Sequence, residues 1–486
     1  MSGRANGHRS NDSIEELRRE NAQLRRELEQ SEAERRRIDG ERARLERELA
    51  RVKDELEAAR RAGTRQAAPF SKGAPKRRPR RPGRKPGADY GRQGHRRPPP
   101  VVHEVYDVPL PPTCLACGGA VDETHVAAQY QEDLPLVQPI VRRFDVHVGR
   151  CDACQQRVQG RHPLQTSDAL GAAAVQLGPQ AVAVAVSLNK QFGLSFGKTA
   201  TLFRDRFGLT VTRGALVRAL HRAAAQAQPT YAALCETVRM SPVVVPDETG
   251  WKVAAVLHWL WVFATASTTV YAIRAGRGFA DAAAVLGADF AGALSRDGWA
   301  PYRQFTQAAH QTCLAHLLRR CRLLQIDHPR ARFPARVAAV LRHALTVRDR
   351  AAAGTISTHG AAVARGHLIA QLATLLEQPG TIPDVQRFAR HLDVEFTAVF
   401  SFLFDPRLDA TNWRAEQALR PAVITRKVCG GGNRTPRGAD TQQVLASVLR
   451  TAQQRGLDTA DLFGTLLRAP TPIVSPALFP SAPSVN

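Results

Sequence analysis

The chain reads as a multidomain α/β protein, and three observations predict that class. Two strand-like runs, "VVVPDETGW" (residues 243–251) and "AGALSRDGWAPY" (291–302), each reach an aspartate and then an aromatic, with Ala-rich helical sequence between and around them. A heptad repeat precedes them, and so do two C-x-x-C pairs that no single α/β core requires. At 486 residues the chain also exceeds one compact core.

Residues 14–60 form the first element, a predicted coiled coil. Its a positions are Ile14, Asn21, Leu28, Arg35, Arg42, Leu49 and Leu56, and its d positions are Leu17, Leu24, Ser31, Ile38, Leu45, Val52 and Ala59. Ten of the fourteen are apolar, which predicts pairing with a second copy, and Asn21 at an a position favours a parallel two-stranded register. A single charged helix is the other reading of the same residues.

In residues 61–100 the periodicity vanishes. From Gly63 to Pro100 twelve Lys or Arg stand against the single Asp89, a surplus of +11 within a chain total of +24. Such a piece cannot bury enough apolar surface to fold alone. Arginines separated by Pro stay extended, so Arg77, Arg78, Arg80, Arg81, Arg84 and Lys85 are expected to lie along DNA rather than merely to solubilise a linker.

Residues 101–165 carry Cys114 and Cys117, then Cys151 and Cys154. Two tight C-x-x-C turns supply four thiolates for one structural Zn²⁺, and the 33 residues between them read as a strand-rich excursion, which together predict a zinc ribbon. A redox pair is the alternative, and the doubling of the motif argues against it. A charged N-terminus without a signal peptide and an interrupted apolar stretch, "GAAAVQLGPQAVAVAVSL", predict a cytoplasmic protein associated with the nucleoid, with that stretch a buried helix.

Residues 166–235 are predicted helical and DNA-binding. "KQFGLSFGKTATLFRDRFGLTVTRGALVRALHRA" reads as two short helices about a turn at 207–211, with Thr212 as N-cap and Arg213 and Arg218 facing DNA, although any bundled helical pair could show this pattern.

Residues 240–450 are the predicted catalytic core. "LHWLWVFATASTTVYAIR" reads as a hairpin, and Asp297 stands past its strand where Asp247 stands past its own. If the two strands are neighbours, both carboxylates converge on one sheet edge, as two hard cations need. The bland reading of "PDETG" is a turn. A third carboxylate is expected from a helix; Glu377, Glu395 and Glu416 are the only glutamates after Asp297, and Asn412, Glu416 and Arg420 share one helical face. A surface salt-bridge stripe is the alternative for Glu416. The 119 residues from Asp297 to Glu416 leave room for a helical insertion at about 317–400, and residues 451–486 read as a helix and a disordered tail. Cys313 and His316 could be half a metal site, but no second half is evident, so packing or hydrogen bonding is expected of them.

The phrases "PDETGW", "DGWAPY", "CLAHLLRR", "NWRAEQALRP" and "LRTAQQRGLDTADLFGTLL" resemble the transposases of the insertion-sequence-sixty-six family of bacterial mobile elements. The resemblance also takes in the zipper, "GRKPG" and the paired C-x-x-C. It implies a ribonuclease-H-like core of DDE type, with Asp247, Asp297 and Glu416 as the catalytic, metal-binding triad for two Mg²⁺. It further implies binding to terminal inverted repeats and target DNA, strand cleavage and strand transfer, and small accessory proteins as partners. Arg420, Arg426 and Lys427 are then candidates for gripping phosphate. The chain departs from the family pattern at Leu314 and at "VCGGGNRTPRG" after Lys427. A non-catalytic zinc-ribbon regulator and a nuclease without strand transfer are the alternatives.

Overall fold

The computed structural model describes residues 20, 22–35, 37–42, 44–46, 48–49, 97–428 and 430–480. The described residues between 20 and 49 are helical (α1), and the heptad residues Leu24, Leu28, Ile38, Leu45 and Leu49 all lie exposed. The remaining heptad positions outside that range, together with Asn21 and the arm residues Arg77, Arg78, Arg80, Arg81, Arg84 and Lys85, lie outside the described residues.

The second unit begins at Arg96. Its first segment contains one small antiparallel pair, β1 (Val148–Arg150) and β2 (Arg157–Gln159). The strand-rich excursion expected between the cysteine pairs is absent: within "LPLVQPIVRRFDVHVGRC" only β1 is a strand, and Leu134, Leu136, Ile140 and Val141 stay exposed. Those side chains have no opposing apolar layer, so nothing offsets the entropy of ordering them into a sheet.

Three helices follow, α2 (Pro179–Lys190), α3 (Phe196–Phe207) and α4 (Arg213–Arg239). α2 buries Val182, Ala183, Ala185 and Val186, as its Ala-rich sequence predicts. Gly208 closes α3 in the left-handed conformation, and the Thr212 hydroxyl accepts from the Ala215 N–H to cap α4. The second helix is not short. It runs 27 residues through Pro229 because Leu216, Leu220, Ala223, Ala227, Leu234 and Val238 keep one apolar face packed along its whole length.

The main sheet has the order β5-β4-β3-β6-β7, built from β3 (Val243–Val253), β4 (Val256–Ala264), β5 (Thr269–Arg274), β6 (Ala293–Arg296) and β7 (Ala309–Thr312). β3, β4 and β5 are antiparallel neighbours, whereas β6 and β7 run parallel to β3. The helix α5 (Phe279–Leu286) bridges β5 to β6, as the crossover to a parallel strand requires. Period-2 alternation gives the sheet two apolar faces. Val244, Trp261, Phe263, Val270 and Ala272 pack with α2–α4 and with α12 (Pro436–Gln454) and α13 (Thr459–Arg468). Val245, Trp251, Val253, Leu260, Val262 and Tyr271 pack beneath α11 (Trp413–Val428).

The segment "PDETG" is no turn. β3 continues through it in unbroken register with β4, and the chain reverses at Ala254 and Ala255, both with positive φ. Two alanines in that conformation are a turn that sequence chemistry does not advertise. Pairing with β6 ends at Val244, two residues before Pro246, which lacks the N–H a second ladder would need.

Between β7 and α11 the chain is mostly helical: α6 (Leu314–Asp327), α7 (Arg332–Ala352), α8 (Thr358–Glu377), α9 (Pro383–Val394) and the short α10 (Phe396–Val399). They share a core of Leu317, Val337, Leu341, Leu368, Leu372, Phe388 and Leu392. After α13 the chain buries Ser475 and Leu478. Residues 481–486 lie outside the described residues.

The glycine run after α11 has a structural reason. β8 (Gly432–Asn433) lies against Lys252 and Val253, and a Cβ on Gly432 would stand 2.0 Å from the Lys252 carbonyl oxygen. Asn433 Oδ1 accepts from Trp251 Nε1 at 2.8 Å. Gly432→Ala is therefore expected to destabilise the chain by about 1–3 kcal/mol, read as a lower melting temperature.

Candidate active site

The sheet register brings Asp247 and Asp297 to one level. β3 and β6 pair in parallel with Val243 beside Ala293 and Val244 beside Leu294, and the two aspartates keep that same offset just beyond the last pair. Alternation then assigns faces. Asp247 has the parity of Val245 and Trp251 and so belongs to the face covered by α11, which carries Glu416 in its first turn. Glu248 points to the opposite face, where it is buried, accepts from Tyr302 Oη at 2.6 Å and pairs with Arg277 at 2.6 Å.

Asp247 is half-buried and its carboxyl is held well above the usual range, first by burial and then by the negative charges of Glu248, Asp297 and Glu416. Its Oδ1 accepts from the Glu248 N–H at 2.8 Å and its Oδ2 from Asn412 Nδ2 at 3.4 Å. Asp297 Oδ1 accepts from the Trp299 N–H at 2.9 Å. Glu416 Oε1 lies 3.9 Å from His316 Nε2 and 4.0 Å from Arg319 Nη2. Of the other two glutamates, Glu377 is exposed, and Glu395 is buried against Arg296, Arg303 and Thr312. Carboxylates on β3, just after β6 and on α11 thus act on one neighbourhood.

A raised carboxylate pKa has a definite consequence for stability. The folded state holds the Asp247 proton more tightly than the unfolded chain does, so the contribution is favourable at low pH and is lost as pH rises towards the raised value. Asp247→Asn removes the ionisation. The variant is expected to melt above wild type at pH 8 in chelator, by about 2–4 °C for each kcal/mol relieved, and to match it near pH 4.

Sequence reading missed His316 as a neighbour of this site and saw Asn412 only as part of a polar stripe with Glu416 and Arg420. Burial lowers the His316 pKa, and its Nδ1 is buried without a partner, as is Asn412 Oδ1. The i, i+3 spacing of "CLAH" and the i, i+4 spacing from Asn412 to Glu416 were the signals available. Cys313 is buried and its Sγ accepts from the Asn412 N–H, a hydrogen-bonding role.

The remaining candidates are scattered. Arg213 and Arg218 are exposed on the first turns of α4. Arg426 donates to Thr249 Oγ1 at 2.9 Å and to the Gly250 carbonyl, so its guanidinium is engaged within the protein, while Arg420 and Lys427 are exposed. In each cysteine pair the first thiol is held below its usual range, Cys114 by the N–H groups of Ala116 and Cys117, and Cys151 by those of Cys154 and Ala153. Among the described residues no three His, Cys, Asp or Glu side chains close into a metal-holding group, and this holds for the three carboxylates as well as for the cysteine pairs. Nor is any helix of the described residues long and apolar enough to cross a membrane.

Residues 174–441 match the family model described as "Transposase IS66 family", a span that contains β3 to β8, α11 and all three carboxylates. The chain belongs to the IS66 family of transposases. A comparison with curated proteins gives no match. Membership in this family makes DNA the substrate and DNA cleavage and transfer the class of chemistry. For a transposase, the surplus of basic residues is the expected charge.

Proposed function

We propose that the chain is a DDE transposase of a bacterial insertion sequence, cutting and joining DNA at Asp247, Asp297 and Glu416 on a ribonuclease-H-like core. The observation that carries this reading is the shared offset of Asp247, on β3, and Asp297, just past the neighbouring parallel strand β6, with α11 and its Glu416 packed on the face of β3 that carries Asp247. The sheet order, three antiparallel strands followed by two parallel crossovers, supports the core assignment.

The donor chemistry fits a hard divalent cation. All three groups offer carboxylate oxygens, and the Asp247 carboxyl, raised first by burial and then by the charges of Glu248, Asp297 and Glu416, marks a place where positive charge lowers the energy. Two Mg²⁺ held there would act as Lewis acids on the scissile phosphate and make a nucleophile available at neutral pH. The chain's own work is positional. The Glu248 and Trp299 N–H groups fix the Asp247 and Asp297 carboxylates, and Arg319, beside Glu416, faces outward with Arg420 and Lys427 where a phosphate backbone can reach them.

End recognition belongs to the basic arm, the paired cysteines and the helices α3 and α4, with Arg213 and Arg218 towards DNA. The exposed heptad leucines of α1 support pairing of two protomers through a coiled coil. One structural Zn²⁺ would join the two knuckles, in each of which the first thiol, Cys114 or Cys151, is held below its usual range. The purified chain is expected to carry one Zn²⁺ by elemental analysis, and Cys151→Ser to lose it and weaken binding to element ends.

The function is tested by incubating labelled element-end DNA with the protein and Mg²⁺. Products joined to a target DNA are expected, with the accessory proteins encoded beside the gene added if needed. Nicks alone, with all partners present, would instead make this a nuclease.

A further inference from the structure

We infer that Asn412 is a positioning residue of the metal site, orienting Asp247 through its amide N–H and presenting its amide oxygen as a further oxygen donor to a divalent cation. The inference rests on the metal-binding reading given above.

Asn412 immediately precedes α11, where an asparagine ordinarily turns its side-chain oxygen back to accept from the first N–H groups of its own helix. Here the backbone carbonyl of Asn412 accepts from the Ala415 and Glu416 N–H groups, but Oδ1 accepts from nothing. The residue is 1% exposed, which shuts its amide oxygen off from bulk solvent. The side chain points elsewhere: Nδ2 donates to Asp247 Oδ2 at 3.4 Å. Its backbone N–H is tied to Cys313 Sγ, which holds the residue between α6 and β3.

A buried amide oxygen without a donor is unfavourable, and giving up a cap adds to the cost. Local sacrifices of this kind gather where function demands a geometry. The neighbours identify what the oxygen is for. On one side stands the Asp247 carboxylate, and one turn along the chain stands Glu416. An environment of carboxylate oxygens repels another acceptor unless a cation sits among them. A neutral amide oxygen is also a known ligand type for hard cations, adding a donor without adding further negative charge.

The test compares wild type with Asn412→Leu, which keeps the approximate volume and removes both polar groups, and with Asn412→Asp, which keeps an oxygen. Mn²⁺ affinity is measured by calorimetry on the DNA-free protein, and melting temperature is measured in chelator. The expected result for Asn412→Leu is a Mn²⁺ affinity lower by about 10- to 100-fold, the range for supporting groups around a metal, with the metal-free melting temperature unchanged or higher. Asn412→Asp is expected to bind Mn²⁺ at least as tightly as wild type. Should Asn412→Leu not fold, a lower Mn²⁺ affinity in Asn412→Asp overturns the proposal. A lower melting temperature with wild-type affinity in Asn412→Leu also overturns it, leaving Asn412 as a structural link. Glu416→Gln serves as the control. If that control weakens binding while Asn412→Leu does not, this inference alone fails, and if both bind as wild type the metal-site reading fails with it.

Discussion

Asp247→Asn, Asp297→Asn and Glu416→Gln should each lower cleavage and joining by on the order of 10³-fold or more, equivalent to about 4 kcal/mol of transition-state stabilisation, while leaving binding to element ends intact. The three changes preserve shape and remove one negative charge. They should not add up, since the three groups act as one unit and losing any member already removes the site's ability to hold its cations. The assay is single-turnover cleavage of labelled ends, read beside a binding titration. Glu248→Gln separates the two faces of β3. It breaks a buried pair with Arg277 and a contact with Tyr302, so it is expected to cost stability and to change activity far less than Asp247→Asn.

Glu395→Gln should give the largest loss of stability among the substitutions considered. Glu395 is fully buried and pairs with Arg296 and Arg303 while accepting from Thr312 Oγ1. Burial pushes its carboxyl up, but the charge of Arg296 and the hydrogen bonds of Thr312, Arg303 and Arg296 outweigh that and hold it below the usual range. Removing the charge leaves Arg296, itself 1% exposed, as an uncompensated buried cation. Breaking such a pair costs about 3–5 kcal/mol. Arg296 Nη1 also donates to the Asp297 carbonyl at 3.0 Å, so the strain falls at the site and catalysis should drop with the melting temperature. Replacing the buried pair as a unit, with Arg296→Met and Glu395→Leu together, should recover part of the stability.

These two cases mark what the sequence allowed and what it withheld. The β-hairpin of "LHWLWVFATASTTVYAIR" and the short strand before Asp297 were legible because each is an apolar β-rich run with turn residues beside it. The level shared by Asp247 and Asp297 was legible only as a condition, that their strands be neighbours, and the sheet order meets it. The expectation that Asp247 stands past the end of its strand failed: β3 runs on through "PDETG" because its turn-forming residues are overridden by nine paired positions with β4, while the actual reversal uses two alanines. Glu395 and Arg296 are separated by 99 positions, and no local pattern announces a pair that only the packing of the helical segment against the sheet creates. Asn412 was visible as part of a polar stripe with Glu416, but its unpartnered oxygen exists only in three dimensions. The cysteine pairs are a different case. Each turn is local and forms from its own backbone, whereas the proposed joining of one knuckle to the other would depend on an ion that the chain alone does not supply.

The central claim is that three carboxylates on β3, after β6 and on α11 hold divalent cations together. Counting Mn²⁺ bound per chain by electron paramagnetic resonance, in wild type and in Glu416→Gln folded to the same melting profile, tests it most directly. Two bound ions in wild type and at least one fewer in the variant is the result predicted here. Equal binding in both proteins would contradict it and remove α11 from the site.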